Sequence, residues 1–235
     1  MNNTGKLYLI PSAIAEETTT VIPESTQSTI QNLDYFLVEN VRSARRFISS
    51  LKLGIKIEEL QFELYDKKTT FEEIMDLLLP VQAGKNAGVI SEAGCPGVAD
   101  PGAIAVDAAH QLGIQVVPLV GPSSILMALM ASGFSGQSFV FHGYLPIDKN
   151  ERKQKIRELE RVAVKSGQTQ IFMETPYRND QMLKSIIDTC NLNTRLSVAA
   201  NLTSTNEKIV NLSVGSWRKE KASFHKQPVV FLIGR

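Results

Sequence analysis

AGVISEAGCPGVADPG, residues 87–102, joins a short apolar run to a loop holding three glycines and two prolines. A run of four small or apolar residues that stops at turn residues reads as a buried strand. The helix expected over 101–112 starts with Pro101, whose fixed φ suits a first helical turn. The order is therefore strand, loop, helix, the repeating unit of an open α/β sheet. Such sheets bind ligands beyond the carboxyl ends of their strands. Glycines let the backbone come close to a ligand and prolines fix its course. Glu92 and Asp100 add acceptors for a ribose diol or an amine. Neither GxxxxGKS/T nor GxGxxG is present, so the loop is not a known phosphate cradle. A tight surface turn that merely starts a helix is the other reading.

Working outward, Pro118-Leu-Val-Gly-Pro-Ser-Ser124 repeats the arrangement after the strand-like IQVVPLVG. Ser123 and Ser124 suit either a helix cap or a ligand. Two such loops in consecutive units suggest one shared pocket at the sheet edge. Upstream, KLYLI is a first buried strand stopped by Pro11, and a helix is expected over 26–36 on the spacing of Ile30, Leu33 and Phe36. FLVEN is a strand and VRSARRFISSLKL a helix closed by Gly54. Thr70 and Glu73 form a capping-box pattern opening a helix over 70–81. A helix over 122–133 ends at Gly133.

A second unit is expected to begin between Gly133 and Gln137, giving domains 1–134 and 135–235. SFVFHGY, QTQIFME and RLSVAANLT read as strands, with helices over 148–166 and 177–190. IVNLSVGSW and PVVFLIGR read as strands with no full helix between them, the mark of an antiparallel ending and a mixed sheet. The expected fold is therefore two α/β domains, a mostly parallel N-terminal sheet and a mixed C-terminal one.

The chain has 235 residues, 43% hydrophobic and 21% charged, which excludes a disordered or fibrous protein. Lys+Arg 25 against Asp+Glu 24 excludes a globally basic nucleic-acid binder but not a local basic patch. Two cysteines make no disulfide framework, so a cytoplasmic protein is expected. The amino terminus reads as neither a signal peptide nor a membrane span.

Other catalytic constellations are missing. The three histidines lack metal-ligand spacing, so no metal is expected. GxSxG is absent, and Cys95 has no evident base and reads as a packed residue. Residues 149–165 hold seven basic and three acidic side chains. Lys149, Arg152, Lys153, Arg157 and Arg161 form either a phosphate-binding face or a solvated helix with mixed pairs involving Glu158 and Glu160. In the basic stretch 218–226, flanked by Trp217, the aromatic residues Trp217 and Phe224 suit base stacking or edge packing.

Five ordered motifs carry a resemblance. SEAGCPGVADPG is similar to SDAGTPxxxDPG, VVPLVGPSS to VxPLPGPSA, and FHGYLP to xxGFLP. FMETPYR is similar to FYESPHR, and ANLT with Glu207 to RELTK…E. On these the chain resembles the tetrapyrrole methylase family of S-adenosylmethionine-dependent methyltransferases. Within it the chain is most similar to enzymes that methylate the ribose 2′-hydroxyl of a cytidine in small-subunit ribosomal RNA. The departures lie at Pro11-Ser-Ala-Ile-Ala-Glu-Glu17, where the family has PTPIGNLxD, at Val38-Glu-Asn-Val-Arg42 for xEDTR, and at ANLTS.

The resemblance implies a cofactor, S-adenosyl-L-methionine, lying in a cleft between the two domains. Ala93, Gly94, Cys95, Val98, Ser123 and Ser124 are its expected contacts on one side. Phe172, Met173, Asn201, Leu202 and Pro228 are those on the other. Glu39 and Glu92 are the candidates for a base at the acceptor hydroxyl. Arg42, Lys149, Arg152, Lys153 and Arg178 are the candidate RNA contacts. A homodimer acting on ribosomal RNA or the small ribosomal subunit, without a membrane or a metal, is the expected assembly. A tetrapyrrole or other small acceptor, and a non-catalytic binding protein of the same fold, stand as alternative readings.

Overall fold

The computed structural model describes residues 4–15 and 18–235. Glu16 and Glu17, part of the departing first loop, lie outside the described residues. The chain divides into two compact units, residues 1–123 and 124–235.

The first unit is built on five parallel strands: β1 (Lys6–Ile10), β2 (Tyr35–Val38), β3 (Gln61–Leu64), β4 (Ala87–Ile90) and β5 (Gln115–Pro118). Their order is β3-β2-β4-β1-β5. Every residue of β2 and β4 is buried, which explains apolar runs without alternation. The helices are α1 (Glu24–Gln31), α2 (Val41–Ser50), α3 (Phe71–Leu77), α4 (Leu79–Gln82) and α5 (Gly102–Gln111). Asn40 caps α2, and Thr70 with Glu73 completes the capping box of α3. Helix signals over 70–81 continue past Leu78 only as α4, which opens with Pro80 in its first turn.

The helix expected over 26–36 is shorter than its spacing indicates. It ends at Gln31, and Tyr35 and Phe36 belong to β2. The apolar residues that mimic a helical stripe are instead inward residues of a fully buried strand. One core cluster holds Leu7, Tyr35, Leu37, Ile74, Val89 and Ala108. A second holds Ile10, Ile30, Phe36, Val38, Ala44 and Ile90. Burying each large side chain contributes about 1.5–3 kcal/mol, so the sheet is held from both faces.

The second unit contains α6 (Ser124–Ser132), β6 (Phe139–Tyr144), α7 (Lys149–Ser166), β7 (Thr169–Met173), α8 (Asn179–Thr189), β8 (Arg195–Ala200), β9 (Lys208–Ser213), α9 (Val214–Trp217) and β10 (Val229–Gly234). The strand order is β6-β7-β10-β8-β9, with only β6 and β7 parallel. The mixed sheet expected from the helix-poor ending is therefore present. Val214-Gly-Ser-Trp217, read above as the end of a strand, is a short helical turn. Ile125, Ala128 and Leu129 of α6 share a core cluster with Ile171, Val230 and Leu232. The division thus falls before α6, where the sequence placed it after Gly133. No helix among the described residues is long and apolar enough to cross a membrane.

Candidate functional site

In the first sheet β1 and β4 are neighbours, yet the chain leaves β1 for β2 and leaves β4 for β5, on opposite sides. That makes the β1/β4 edge the topological switch point, where open sheets form a crevice. Two loops meet there. Ser12 N–H donates to Gly94 O at 2.9 Å, and Gly94 N–H donates to Ser12 O at 3.2 Å. Ser91 Oγ donates to the same Gly94 carbonyl at 2.7 Å. The third loop joins them: the Cys95 thiol lies 3.4 Å from the carbonyl oxygen of Pro122. A Cβ on Gly121 would stand 2.3 Å from Pro11 Cβ, so only glycine lets these loops close. Gly94 is needed for a different reason. Its φ is +78°, and an added Cβ would meet only Pro122 O, at 3.5 Å.

A group of polar side chains follows the strand ends. Ser12 comes just after β1, Glu39 after β2, Tyr65 after β3, and Asp100 lies in the loop after β4. Asp100 Oδ1 accepts from the backbone N–H groups of Gly97 and Gly102, which fixes the loop ahead of α5. Ser12 Oγ, Glu39 Oε1, Tyr65 OH and Asp100 Oδ2 are all buried and lack a hydrogen-bond partner among the described residues. Leaving such an atom unpaired costs about 1–3 kcal/mol. Four of the seven such atoms among the described residues follow strand ends of this sheet; the other three, Asn179 Oδ1, Thr189 Oγ1 and Ser197 Oγ, lie in the second unit.

The electrostatics agree. Burial, then the charges of Asp100 and Glu92, raise the Glu39 carboxyl above its ordinary value, against the opposing Glu92 amide and Lys67. Burial pushes the Tyr65 phenol up, with Asp100 and Glu39 adding to it. Burial and Asp100 also raise the Cys95 thiol. Cys95 is half-buried with its Sγ against the Pro122 carbonyl. Glu92 and Ala93 are exposed beside this group, and Val98 is exposed further along the loop. Ser123 is half-buried at the end of the first unit. Tyr65 and Ser12 were not singled out from the sequence. The signal that reveals them is a polar residue within two positions of each apolar run.

The candidates of the second unit divide. Met173 is half-buried at the end of β7, and Ser124 is half-buried at the start of α6. Asn201, at φ 52°, follows β8, and its N–H donates to Pro228 O at 3.0 Å. Asn201 and Pro228 therefore sit together. Phe172 and Leu202 are core residues: Phe172 is fully buried and stacked on Phe231, with ring centres 5.7 Å apart. Their side chains are therefore not available to a ligand.

The RNA candidates divide as well. Arg42 and Lys149 are exposed and Lys153 is half-buried. Arg152 is 2% exposed; its Nε donates to Ser185 Oγ at 3.1 Å and its Nη1 to Ile147 O at 2.7 Å. It lies on the inner side of α7, so it cannot belong to a basic face. Glu160 on the same helix is also buried, accepting from Asn191 N–H and Thr194 Oγ1 rather than pairing with an arginine in solvent. Arg178 grips the buried Glu174 carboxylate through Nε at 3.0 Å and Nη2 at 2.7 Å. Trp217 and Phe224 are core residues in edge-to-face contact, with Trp217 Nε1 donating to Leu196 O at 2.9 Å. They do not offer a face to bases.

A cavity of about 250 Å³ lined by Tyr8, Ser28, Asn32 and Asn86 lies elsewhere, since Asn86 precedes β4. No group of three or more His, Cys, Asp or Glu among the described residues could hold a metal ion.

Comparisons with known proteins agree with the fold. Ribosomal RNA small subunit methyltransferase I of Vibrio cholerae serotype O1 is 29% identical over 99% of this chain and 78% of its own length. The protein of that name from Thermotoga maritima is 32% identical over 78% of each chain. Among solved structures, the methyltransferase CobJ superposes with a TM-score of 0.66 at 15% identity, covering 99% of this chain and 95% of its own. Uroporphyrin-III C-methyl transferase from Thermus thermophilus, complexed with S-adenyl homocysteine, gives a TM-score of 0.59 at 16% identity and covers 98% of each chain. At those identities the structures establish the fold. The family model for tetrapyrrole (corrin/porphyrin) methylases matches residues 26–216, which include the loops at 91–102 and 118–124 and most of the second unit but not the loop after β1. With that match, the expectation raised by five ordered motifs is met: the chain belongs to the tetrapyrrole methylase family.

Proposed function

We propose that this methyltransferase takes its methyl group from S-adenosylmethionine and places it on the ribose 2′-hydroxyl of a cytidine in small-subunit ribosomal RNA. The observation that carries the reading is the set of four unpartnered buried polar atoms past the strand ends of the first sheet, in a chain that is similar over 99% of its length to an enzyme named for ribosomal RNA. The cofactor supplies an electrophilic methyl on a sulfonium, so no metal and no covalent nucleophile are required.

The residues present fit such a cofactor. Buried carboxylate and hydroxyl oxygens without partners suit a ligand rich in donors, such as an ammonium or a ribose diol. In this reading Ala93, Gly94, Cys95, Val98 and Ser123 hold it from the first unit, largely through the stitched backbone. The family resemblance adds Ser124, Met173, Asn201, Pro228, Phe172 and Leu202 as further candidate contacts. Glu39 receives the proton of the ribose hydroxyl. Its raised carboxyl lies closer to neutrality than an ordinary one, which suits a general base. Glu92, exposed next to it, adds the negative field that keeps it there. The reading includes a cytoplasmic homodimer.

Near-balanced charge, 25 basic against 24 acidic residues, favours a second reading with a small acceptor such as a tetrapyrrole. Calorimetry of the purified chain with S-adenosylhomocysteine tests the cofactor that both readings share. Saturable binding is expected, weakened at least about tenfold (about 1.4 kcal/mol) in Gly94→Val. No binding up to millimolar ligand would remove both.

A further inference from the structure

Tyr177 is 70% exposed, the most exposed aromatic side chain among the described residues. Its ring meets that of the exposed His225 edge to face, with centres 5.9 Å apart. An exposed ring braced by a second ring offers a face on which a base can stack. The loop that presents His225 is held firmly. Ser223 Oγ donates to Asp180 Oδ2 at 2.7 Å and Phe224 N–H to Asp180 Oδ1 at 2.6 Å. Asn179 Nδ2 donates to Gln227 O at 2.6 Å, and Phe224 anchors the loop in the core. Lys226 sits at φ 61°, a left-handed conformation that is strained for a lysine, with its N–H donating to Pro176 O at 2.9 Å. A loop that served solubility alone would need neither the anchors nor the strain.

The same loop is charged. Arg218, Lys219, Lys221 and Lys226 are exposed against the single acid Glu220 in residues 218–227. It also adjoins the candidate cofactor residues of this unit. Gln227 Oε1 accepts from Asn201 Nδ2 at 2.8 Å, and Asn201 N–H donates to Pro228 O. A rigid aromatic ring, an imidazole and four cations around one loop are the elements of a single-strand RNA platform, where bases stack and phosphates meet charge.

We propose that Tyr177, braced edge to face by His225, presents a stacking face to an unpaired base of the RNA substrate, with Lys219, Lys221 and Lys226 holding the flanking phosphates. The platform replaces Trp217 and Phe224, which the core occupies, and it rests on the ribosomal RNA reading given above. It is a positioning device for the substrate and touches no reacting atom.

The test uses the full chain and a fluorescently labelled single-stranded oligoribonucleotide of about twelve nucleotides, a length within the range such grooves bind. Tyr177→Ala is expected to weaken binding at least about fivefold, as loss of a stacked base does, while Tyr177→Phe restores it. Lys219→Ala with Lys221→Ala is expected to flatten the salt dependence of binding by about two phosphate contacts. Affinity for S-adenosylhomocysteine is expected to stay unchanged in all three. Methyl transfer to small ribosomal subunits is measured beside it. If the wild type methylates subunits and Tyr177→Ala binds RNA and methylates equally well, the platform is overturned and the ribosomal RNA reading survives. Equal affinity for duplex RNA overturns the stacking role. If the wild type neither binds the oligonucleotide nor methylates subunits, both proposals fall.

Discussion

Ser12 and Gly94 exchange both of their backbone hydrogen bonds, Ser12 N–H to Gly94 O at 2.9 Å and Gly94 N–H to Ser12 O at 3.2 Å. This bridge ties the loop after β1 to the loop after β4 at the one edge where the chain's path reverses. Everything assigned to the first unit's site depends on that joint being rigid.

Gly94→Val tests the joint. At φ +78° a branched side chain costs roughly 1–3 kcal/mol, and the two bridging bonds loosen as the backbone moves away. Thermal melting without ligand is expected to fall, and calorimetric affinity for S-adenosylhomocysteine to fall at least about tenfold. A variant that melts and binds like the wild type would show that Gly94 neither needs this conformation nor borders the cofactor.

Tyr65→Phe separates a structural hydroxyl from a used one. The hydroxyl is buried without a partner, so its removal relieves a cost of about 1–3 kcal/mol and leaves the ring in place. The melting temperature is expected to hold or rise while methyl transfer falls at least about tenfold, or 1.4 kcal/mol of barrier. Unchanged activity would take Tyr65 out of the site.

Glu39 gives the chain a pH dependence whose sign is fixed. Its folded carboxyl lies above the ordinary 4.5, so the folded chain binds the proton more tightly than the unfolded chain. Stability is therefore lost as pH rises from that ordinary value through the raised one. Glu39→Gln removes the loss, with Asp100, Glu92 and Lys67 left in place. In melts across pH the variant is expected to exceed the wild type at neutral pH, and the gap to close below about pH 4. Its methyl transfer is expected to drop by about a hundredfold or more, the range of a lost general base. A gap that grows on acidification would contradict the placement of Glu39.

Arg152→Met distinguishes a core arginine from an RNA contact. The guanidinium bonds Ser185 and the Ile147 carbonyl inside the second unit. Urea unfolding is expected to show a loss of about 2–3 kcal/mol, the value of hydrogen bonds from a charged donor. RNA affinity of the folded variant is expected to stay within about twofold, since no phosphate contact is removed.

The alternation of strands and helices, the capping box at Thr70 and the mixed second sheet were legible because each has a local signature. Residues 26–36 misled because Ile30, Leu33 and Phe36 keep helical spacing across a turn into a fully buried strand, where no alternation marks the change. The site loops were legible from their glycines and prolines. Tyr65 was not, because its meaning comes from Glu39 and Asp100, brought to it by strand order rather than by sequence. Arg152 and Phe224 likewise resemble surface residues in sequence and become core residues only through packing against Ser185 and Trp217.

The most direct measurement is methyl transfer from isotopically labelled S-adenosylmethionine to small ribosomal subunits isolated from a strain lacking this gene, followed by nucleoside analysis of the RNA. The expected result is label in a single 2′-O-methylcytidine, absent when wild-type subunits are used and lost with Glu39→Gln. No incorporation into either kind of subunit, by a protein that binds S-adenosylhomocysteine normally, would contradict ribosomal RNA as the acceptor.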